Sequence, residues 1–491
     1  MISKLICIYL DHQTVSPEVG TIINVNRYGE ILYKKQKLKL YHKRLYAEAG
    51  IDNFINITKP DQLLGAIEEI RFNPNSFVIL HHSSFAVTNR EQFKLFIEKI
   101  KYLETDLSIA DFEEQKAFMM LSCKSAITTL EKINKTPNNA DYILEHEVTT
   151  PEKFKLEKFY KTLRNSVEFI EFLHTNFEAR FFNSIEKDEL YITKRSDKLK
   201  KIENEYQYYE FLPDSLKVFF LKPIEFVKTD QWSSYKLEKL NIPDVSIQWV
   251  HNSFTTKQFA ILLNKLFIFL SKRPVKPVSS SDASQVVESF YIVKVEERIL
   301  DLKSKPEFVA ISEIIKNSTA HKNIDFLFDL YKTKLTAILK RTKYMPVLAL
   351  SHGDLCASNM LYDKRIDMLK LIDPRGADTP EGLYFDSYYD VAKLSHSIMG
   401  DYDLINNGLF ELEYDNYLQV SLKLDPLPDK LKYQNEFIWM LEKNGYNYDL
   451  VRIFEASLFL SMLPLHIDNP KKVVAFILNA VNILNKISVN E

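Results

Sequence analysis

Two short polar segments in the last third of the chain each follow an apolar run that is typical of a buried strand. They read Leu348-Ala-Leu-Ser-His-Gly-Asp-Leu-Cys-Ala-Ser-Asn359 and Leu369-Lys-Leu-Ile-Asp-Pro-Arg-Gly376. A carboxylate such as Asp354 can accept a hydroxyl proton. An amide and a second carboxylate, Asn359 and Asp373, offer the oxygen ligands that Mg²⁺ prefers. These residue types predict magnesium-dependent phosphoryl transfer to a hydroxyl group.

The spacing of these residues supports that chemistry. Asn359 lies five positions after Asp354, the interval of the kinase loop H-R-D-x-x-x-x-N, and Asp373 follows Asn359 by 14 residues, enough for a hairpin that brings it back. The stretch resembles the aminoglycoside phosphotransferase and choline kinase superfamily, whose loop reads H-G-D-x-x-x-x-N and whose metal motif is I-D. The resemblance implies a bilobal, protein-kinase-like α+β fold that transfers the γ-phosphate of ATP to a small-molecule hydroxyl.

The resemblance also implies individual roles. Asp354 would act as the base, Asn359 and Asp373 would hold one or two Mg²⁺ ions, and His352 would brace the loop. The downstream segment Phe385-Asp-Ser-Tyr-Tyr-Asp-Val-Ala-Lys-Leu-Ser-His396 looks like the one in which a buried Asp supports the loop. Its combination with I-D-P-R-G is similar to a subset associated with bacterial capsule and surface-polysaccharide genes. An isolated H-G-D would equally fit a tight turn that caps a helix.

A kinase-like lobe must also supply a phosphate-binding lysine with an acidic partner. Lys194 ends the strand-like run Leu190-Tyr-Ile-Thr-Lys, and Glu205 follows eleven residues later on a predicted helix, Lys198–Leu212. Ser234-Tyr-Lys-Leu-Glu238 resembles the hinge strand that contacts adenine. The alternative for the Lys194–Glu205 pair is a solvent-facing lysine and a charged helix face.

The segment before Lys194 departs from the family pattern. Glu178-Ala-Arg-Phe-Phe-Asn-Ser-Ile-Glu contains no glycine, although a flexible glycine-bearing loop is expected there. Arg180, Asn183 and Ser184 are the residues that would donate to phosphate oxygens instead. The departure keeps two alternatives open: a pseudokinase that binds nucleotide without transfer, and a scaffold in the same pathway.

Arg375 follows Asp373-Pro374 and precedes Gly376, so its direction should be fixed close to the metal site. One interpretation is recognition of an anionic acceptor through a phosphate or carboxylate group. The other is a salt bridge to Asp378, Glu381 or Asp386. Cys356, within the loop, is interpreted as a packing residue because no basic neighbour would lower its pKa.

The first 150 residues alternate apolar runs with amphipathic patterns, which predicts an α/β domain with a parallel sheet. The predicted strands are Leu5–Leu10, Gly20–Val25 and Ser76–Leu80, and the predicted helices are Pro60–Arg71 and Thr88–Ile100. We interpret this domain as a degenerate nucleotidyltransferase- or glycosyltransferase-like fold. His81 and His82 stand where a metal-binding Asp would be, and neighbours on a strand point to opposite faces.

These patterns divide the chain into four parts. Residues 1–150 form the α/β domain, 151–177 a linker helix, 178–240 the kinase-like N-lobe and 241–491 a mostly helical C-lobe. The expected ligands are ATP, Mg²⁺ and a small-molecule acceptor. The acceptor is expected to be a sugar, an amino alcohol or a nucleotide-linked precursor, and phosphorylated and sugar-linked compounds are included.

Composition narrows the class of protein. The chain has 491 residues, 46% hydrophobic and 26% charged, with a formal net charge of −2 and three cysteines. This composition is typical of a globular protein. The net charge does not indicate nucleic-acid binding, and the three cysteines do not indicate a disulfide framework. No signal peptide or transmembrane segment is predicted, so a cytoplasmic location is expected and peripheral membrane contact stays open. The sequence does not define an oligomeric state.

Overall fold

The structure, a computed structural model, describes residues 5–110, 116–155, 159–174, 183–187, 190–319 and 323–488. The chain forms two units, Met1–Glu178 and Ala179–Glu491. The strands of the first unit are β1 (Leu5–Leu10), β2 (Leu32–Tyr33), β3 (Gln36–Lys37), β4 (Phe54–Ile57), β5 (Phe77–His82), β6 (Phe85–Val87), β7 (Leu107–Ala110), β8 (Lys116–Ser122), β9 (Glu152–Lys155) and β10 (Tyr160–Thr162). Its helices are α1 (Pro17–Gly20), α2 (Leu38–Glu48), α3 (Gln62–Arg71), α4 (Arg90–Ile100), α5 (Cys123–Lys135), α6 (Ala140–Tyr142) and α7 (Ser166–His174).

The first unit is built on a six-stranded sheet in the order β4-β1-β5-β8-β7-β9. The wholly apolar β1 is buried throughout and lies between β4 and β5, both parallel to it, as expected for a central strand. The prediction of a parallel sheet was wrong in one respect, because β8 runs antiparallel to β5 and β7. The sheet is therefore mixed.

Local signals explain which predictions failed in this unit. The strand predicted over Gly20–Val25 is absent because Ser16 caps a short helix that begins at Pro17, the favoured first helical residue. The predicted helix over 151–177 is instead β9, β10 and α7. β9 pairs with β7 and β10 with β6, so these residues belong to the first unit's sheets. Asn89 caps α4, because its side chain accepts the Gln92 N–H.

The second unit begins with an antiparallel sheet and continues as a helical lobe. Its strands are β11 (Asn183–Lys187), β12 (Tyr191–Ser196), β13 (Ile224–Lys228), β14 (Ser233–Glu238), β15 (Val275–Pro277), β16 (Val347–Leu350), β17 (Met360–Asp363), β18 (Met368–Leu371), β19 (Tyr384–Asp386), β20 (Phe410–Tyr414) and β21 (Val420–Leu424). Its helices are α8 (Leu199–Phe211), α9 (Asp214–Lys217), α10 (Val245–Val250), α11 (Thr256–Lys272), α12 (Ala283–Glu288), α13 (Lys294–Lys303), α14 (Phe308–Ser318), α15 (Ile324–Thr342), α16 (Tyr388–Ile398), α17 (Tyr402–Asn406), α18 (Lys430–Lys443), α19 (Tyr448–Met462) and α20 (Pro470–Lys486).

The architecture of this unit fits the bilobal expectation. Four strands form a sheet in the order β11-β12-β14-β13, and α8, which joins β12 to β13, packs on it. In the helical lobe α19 and α20 are largely buried, and they anchor a continuous apolar core. The β17–β18 hairpin packs in a second apolar core, with α11 and α18, and carries the second polar segment at its end. Among the described residues, no helix is both long and apolar enough to cross a bilayer.

Candidate active site

A buried lysine links the sheet lobe to the helical lobe of the second unit. Lys194 lies on β12, and its Nζ is 2.6 Å from Oε2 of Glu205 on α8 and 2.9 Å from Oδ1 of Asp373. The side chains of Lys194 and Glu205 are only 8% and 6% exposed. Burial alone would lower the pKa of Lys194, but the neighbouring carboxylates raise it well above its ordinary value. The ammonium is therefore kept charged inside the cleft.

Asp373 is the more open partner of this lysine. It follows β18 with a φ of 54°, in the left-handed region that is uncommon for residues other than glycine and clusters at functional sites. Its side chain is 45% exposed. Desolvation would raise the pKa of its carboxyl, but the Lys194 ammonium outweighs it and lowers the pKa. Asp373 thus presents an ionised, accessible oxygen beside Lys194.

The loop between β16 and β17 is braced from behind by Asp390. Asp390 is fully buried on α16 and accepts the N–H groups of His352 and Gly353, each at 2.9 Å. Arg273 donates to the same carboxylate at 2.9 Å, with both side chains at most 1% exposed. This arrangement is the loop support that the Phe385–His396 segment implied. It fixes the backbone immediately before Asp354.

His352 is committed to structure and is not placed as a base. Its Nδ1 accepts the N–H of Asp354 at 3.2 Å, and its Nε2 donates to the Ile372 carbonyl at 3.0 Å. Its ring also stacks on Phe220. Burial lowers the pKa of His352, which favours the neutral ring that this bonding pattern requires. The ring joins the Asp354 loop to the strand that delivers Asp373.

Asp354 is oriented by two side chains. Asn359 donates its Nδ2 to the Asp354 carbonyl at 2.9 Å and to Oδ2 at 3.1 Å. The Lys393 ammonium lies 2.9 Å from Oδ1. Desolvation would lower the pKa of Lys393, but the Asp354 carboxylate raises it. The Asp354 side chain is still 36% exposed, so a substrate hydroxyl can reach it.

The hairpin brings the two predicted metal ligands together. Met360 pairs with Leu371, and the Ile372 N–H donates to the Asn359 carbonyl at 3.0 Å, so residues 359 and 373 are neighbours. The part of the chain that the structure describes contains no group of three or more His, Cys, Asp or Glu that could hold a metal. One carboxylate and one amide oxygen nevertheless fit Mg²⁺, which is typically bound by one or two carboxylates together with substrate phosphates and waters.

Gly376 lets the segment after Asp373 pack directly on α8. A Cβ at this position would lie 2.0 Å from the Asn204 carbonyl oxygen and 2.6 Å from the Glu205 nitrogen. Only glycine permits that approach. The segment that carries Asp373 and the helix that carries Glu205 are therefore held against each other, which fixes both partners of Lys194.

Arg375 forms no salt bridge to Asp378, Glu381 or Asp386, all of which lie within the described residues. Asp378 is paired with Lys200 at 3.1 Å, and Asp386 accepts from the Tyr344 hydroxyl at 2.7 Å. Among the described residues, Arg375 forms no ion pair. The backbone N–H of Arg375 donates to the His352 carbonyl at 2.7 Å. The guanidinium is exposed and therefore available to a ligand.

The structure does not unite every predicted residue. Arg180 lies outside the described residues. Asn183 and Ser184 lie on β11, a strand for which the structure describes only the backbone. Glu238 ends β14 with an exposed side chain, at the rim of a shallow pocket that Lys217 also lines. Within the described ranges, no hydrogen bond or ion pair ties Glu238 to the Lys194–Asp373 cluster.

Two cationic contributors were missed at the sequence level. Lys393 stands in the D-V-A-K run, three residues after Asp390, and could have been found as the residue on the next turn of the same helix. Arg273 offers no such signal, because it is distant in sequence from its partner Asp390. Burial raises the pKa of Cys356 to about 12, in keeping with a packing role.

Comparison with known proteins gives weak similarity to phosphotransferases. No family model and no curated protein matches the sequence. A solved glucosamine kinase, in complex with glucosamine, ADP and inorganic phosphate, is 10% identical, with a TM-score of 0.39 and coverage of 62% of this chain and 76% of that chain. The aminoglycoside phosphotransferase APH(3'')-Id from Streptomyces rimosus is 12% identical, with a TM-score of 0.35 and coverage of 60% and 97%. A thermostable mutant of APH(4)-Ia is 11% identical, with a TM-score of 0.35 and coverage of 64% and 98%.

Proposed function

We propose that the second unit is an ATP- and magnesium-dependent kinase that phosphorylates a hydroxyl of a sugar, amino alcohol or nucleotide-linked precursor. The observation that carries this proposal is the buried Lys194 ammonium, held between Glu205 and Asp373, with Asp373 next to Asn359 of the Asp354 loop. A charged lysine shared by a helix carboxylate and an exposed carboxylate is suited to binding phosphate oxygens.

The residues divide the work of phosphoryl transfer. Lys194, oriented by Glu205, neutralises the α- and β-phosphates, and Asp354 accepts the proton of the acceptor hydroxyl. The bond from the acceptor oxygen to the γ-phosphorus forms as the bond to the β–γ bridging oxygen breaks, and ADP leaves. Asn359 and Asp373 would hold Mg²⁺, which neutralises phosphate charge when bound. Catalysis is then mainly positioning and electrostatics.

The test is ATP consumption by the full-length protein with a panel of hydroxyl acceptors, with products identified by mass. Lys194→Ala should lower transfer by about 10²-fold or more, because it removes a charge aimed at the phosphates. Lys257→Ala, an exposed lysine in the first turn of α11, is the matched control and should leave the rate unchanged. Equal rates in the wild-type protein and Lys194→Ala would contradict the proposal.

A nucleotide-binding module without transfer is the second candidate. It is favoured by one observation, the absence of glycine from the segment 178–186 that precedes β12. A melting temperature that rises with ATP and Mg²⁺, with no ADP formed in the presence of any acceptor, would select this candidate. A scaffold would show no nucleotide effect and would co-purify with pathway enzymes.

The finer placement of the reaction in surface-polysaccharide biosynthesis rests on sequence alone. The I-D-P-R-G and Y-D-V-A-K-L-S-H segments support it. Deleting the gene should reduce surface polysaccharide, and restoring it with an Asp354→Asn variant should not rescue the loss. Normal polysaccharide in the deletion strain would contradict this placement.

We also propose that the first unit is a degenerate nucleotidyltransferase-like domain that serves substrate presentation or assembly. Both strand-end histidines are internally bonded: His81 to the Tyr46 hydroxyl and the Phe85 carbonyl, and His82 to Ser84. Neither is free to hold a metal. The full-length protein should release no pyrophosphate from CTP or UTP with any sugar phosphate, and detectable pyrophosphate would contradict the proposal.

A further inference from the structure

Three cationic side chains, of Lys393, Lys294 and Arg375, lie near Tyr389 on α16, and one of them contacts Asp354. Lys393 and Tyr389 are one helical turn apart on α16, so they share a face. The Lys393 ammonium is 2.9 Å from Asp354 Oδ1. Lys294, at the start of α13, donates to the Tyr389 hydroxyl at 2.8 Å. Helix α16 therefore places Lys393 beside the proposed base and, through Tyr389, binds Lys294 one helical turn away.

Arg375 reaches the same region from the end of β18. A Cβ at Gly353 would lie 2.6 Å from the Arg375 Cβ and 3.2 Å from the Phe385 ring, so both side chains abut the residue before Asp354. The guanidinium carbon is 5.3 Å from the Phe385 ring centroid, and that ring meets Tyr389 edge-on at 5.4 Å. We call Arg375, the two lysines and the two aromatic rings the acceptor face.

The acceptor face carries more positive charge than its own carboxylate balances. Lys393 is paired with Asp354, but neither Arg375 nor Lys294 has a carboxylate at ion-pair distance anywhere in the described residues. Burial would raise the pKa of Tyr389, yet the three cations together lower it. That lowering agrees with the geometry: their fields overlap at this one hydroxyl.

Carboxylates on neighbouring segments are engaged elsewhere. Asp386 is buried and accepts from the Tyr344 hydroxyl, Asp390 is committed to the catalytic loop, and Asp378 pairs with Lys200. None of them neutralises the two uncompensated cations. An anionic ligand would complete the charge balance.

We propose that the acceptor is itself an anion: an alcohol that also bears a phosphate or carboxylate group, bound by Arg375 and Lys294 while its hydroxyl faces Asp354. This inference rests on the proposed kinase function. The planar guanidinium can bind either oxyanion in a bidentate fashion, and the lysine adds a point charge. The same charges disfavour amine-bearing acceptors, because like charges repel strongly at short range.

The first experiment separates the charge of the acceptor from its size. Binding to the full-length protein is measured by titration calorimetry, in the presence of ADP and Mg²⁺, for glycerol 3-phosphate, glycerate, glycerol and ethanolamine. The two anions should bind at least about 10-fold more tightly than glycerol, and ethanolamine should bind least, since hydrogen bonds to charged groups are the stronger ones. The stronger of the two anion arms identifies phosphate or carboxylate as the recognised group. Equal affinity for glycerol and both anions would overturn the inference.

Variants of the acceptor face provide the second readout. Arg375→Ala and Lys294→Ala should each weaken anion binding about 10-fold, and Arg375→Lys should recover part of the loss. Lys257→Ala should match the wild-type protein. Anion affinity that is unchanged in Arg375→Ala, with the wild-type melting temperature retained, would also overturn the inference.

Phosphoryl transfer to the same four compounds distinguishes this inference from the function on which it rests. If Arg375-dependent anion binding is present but the wild-type protein forms no phosphorylated product with a wider acceptor panel, the anion site stands and the kinase proposal fails. If neutral or cationic acceptors are phosphorylated at rates that Arg375→Ala leaves unchanged, the kinase proposal stands and the anionic acceptor is wrong.

Discussion

Polar side chains follow buried strands in both units, but the two clusters are built in opposite ways. In the first unit, His82 is 2% exposed and bonds to Ser84 at 2.7 Å and Asp141 at 2.8 Å, while Arg164 closes on Asp141 at 3.0 Å. Asp11, at the end of β1, is fully buried and accepts the Gly29 N–H at 2.8 Å. These groups are bonded to neighbours inside the unit, except that Oδ2 of Asp11 accepts no hydrogen bond among the described residues and lies 3.7 Å from the Arg27 guanidinium.

In the second unit the corresponding carboxylates, of Asp354 and Asp373, remain partly exposed to solvent. Asp354 and Asp373 are 36% and 45% exposed, although each is held at one oxygen by a lysine at 2.9 Å. The groups behind them, Lys194 and Asp390, are buried and fully paired. A cluster whose polar atoms bond to one another stabilises a fold. A cluster that holds partly exposed charged groups on a rigid framework can bind a ligand. The same sequence signature therefore has two different outcomes.

The sharpest test of this contrast is Asp354→Asn. The amide keeps the shape of the side chain but cannot accept the hydroxyl proton, so kcat should fall by about 10²–10⁴-fold. Initial rates of ADP formation at saturating acceptor measure the change. The melting temperature and ATP affinity should stay near the wild-type values. Full activity would remove Asp354 from its proposed role.

Removing the second open carboxylate should affect nucleotide binding. Asp373→Ala leaves Asn359, a neutral ligand, as the only nearby protein oxygen from the proposed pair, which cannot by itself offset dehydration of Mg²⁺. The magnesium-dependent part of the ATP affinity should be lost in titration calorimetry. Asp378→Ala, an exposed carboxylate five residues later, is the control. An identical magnesium dependence in Asp373→Ala would mean that the two-ligand site is misassigned.

Sequence patterns grouped Asp354, Asn359 and Asp373 because these three residues lie close together along the chain. The Asp354–Asn359 interval and the hairpin to Asp373 are local, so the single segment 354–373 contains them. Strands β1 and β5 and helices α3 and α4 were likewise predictable, since each is a continuous apolar or amphipathic run.

What escaped prediction depends on long-range packing or on weak local signals. The Arg273–Asp390 pair spans 117 residues, and the antiparallel direction of β8 is set by tertiary pairing. β9 and β10 were not predicted because their sequences are short and charged. An alternating pattern of only three or four residues resembles one face of a helix. The loss of the predicted helix over 151–177 follows from this ambiguity.

Gly376→Ala tests how tightly the open cluster depends on its frame. The new Cβ would meet the backbone of Asn204 and Glu205, so α8 or the Asp373 segment must move. Because this displaces a partner of Lys194, ATP affinity should fall by about 10-fold or more, the effect expected when a charge-assisted hydrogen bond is lost. ATP titration measures it, with Gly65→Ala on α3 as the control, because a Cβ there meets nothing within 4 Å. Wild-type affinity would show that the contact does not position Glu205.

His82→Ala tests the opposite cluster. It removes the His82 contacts to Ser84 and Asp141, which keep Arg164 as a partner, and the free energy of unfolding should fall by about 1–3 kcal/mol while kcat is unchanged. All three tryptophans, Trp232, Trp249 and Trp439, belong to the second unit. Circular dichroism should therefore detect earlier unfolding that tryptophan fluorescence does not. A matching loss in both signals, or a large fall in kcat, would contradict the separation of roles.

The smallest expected effect is the acid sensitivity that the buried His81 adds to the first unit. Burial lowers the pKa of His81 from 6.5 to about 3. Below about pH 6.5 the His81 side chain is therefore protonated in the unfolded chain but stays neutral in the folded unit. The free energy of unfolding falls as the pH drops from about 6.5 towards 3. The slope can reach about 1.4 kcal/mol per pH unit for each such group. Denaturation at pH 7.5 and 5.5, followed by circular dichroism and by tryptophan fluorescence, gives the change for each unit. In His81→Gln this part of the slope should disappear, although the lost contact to Tyr46 or Phe85 lowers stability at every pH. A slope that is unchanged in His81→Gln would assign the acid sensitivity to another buried group.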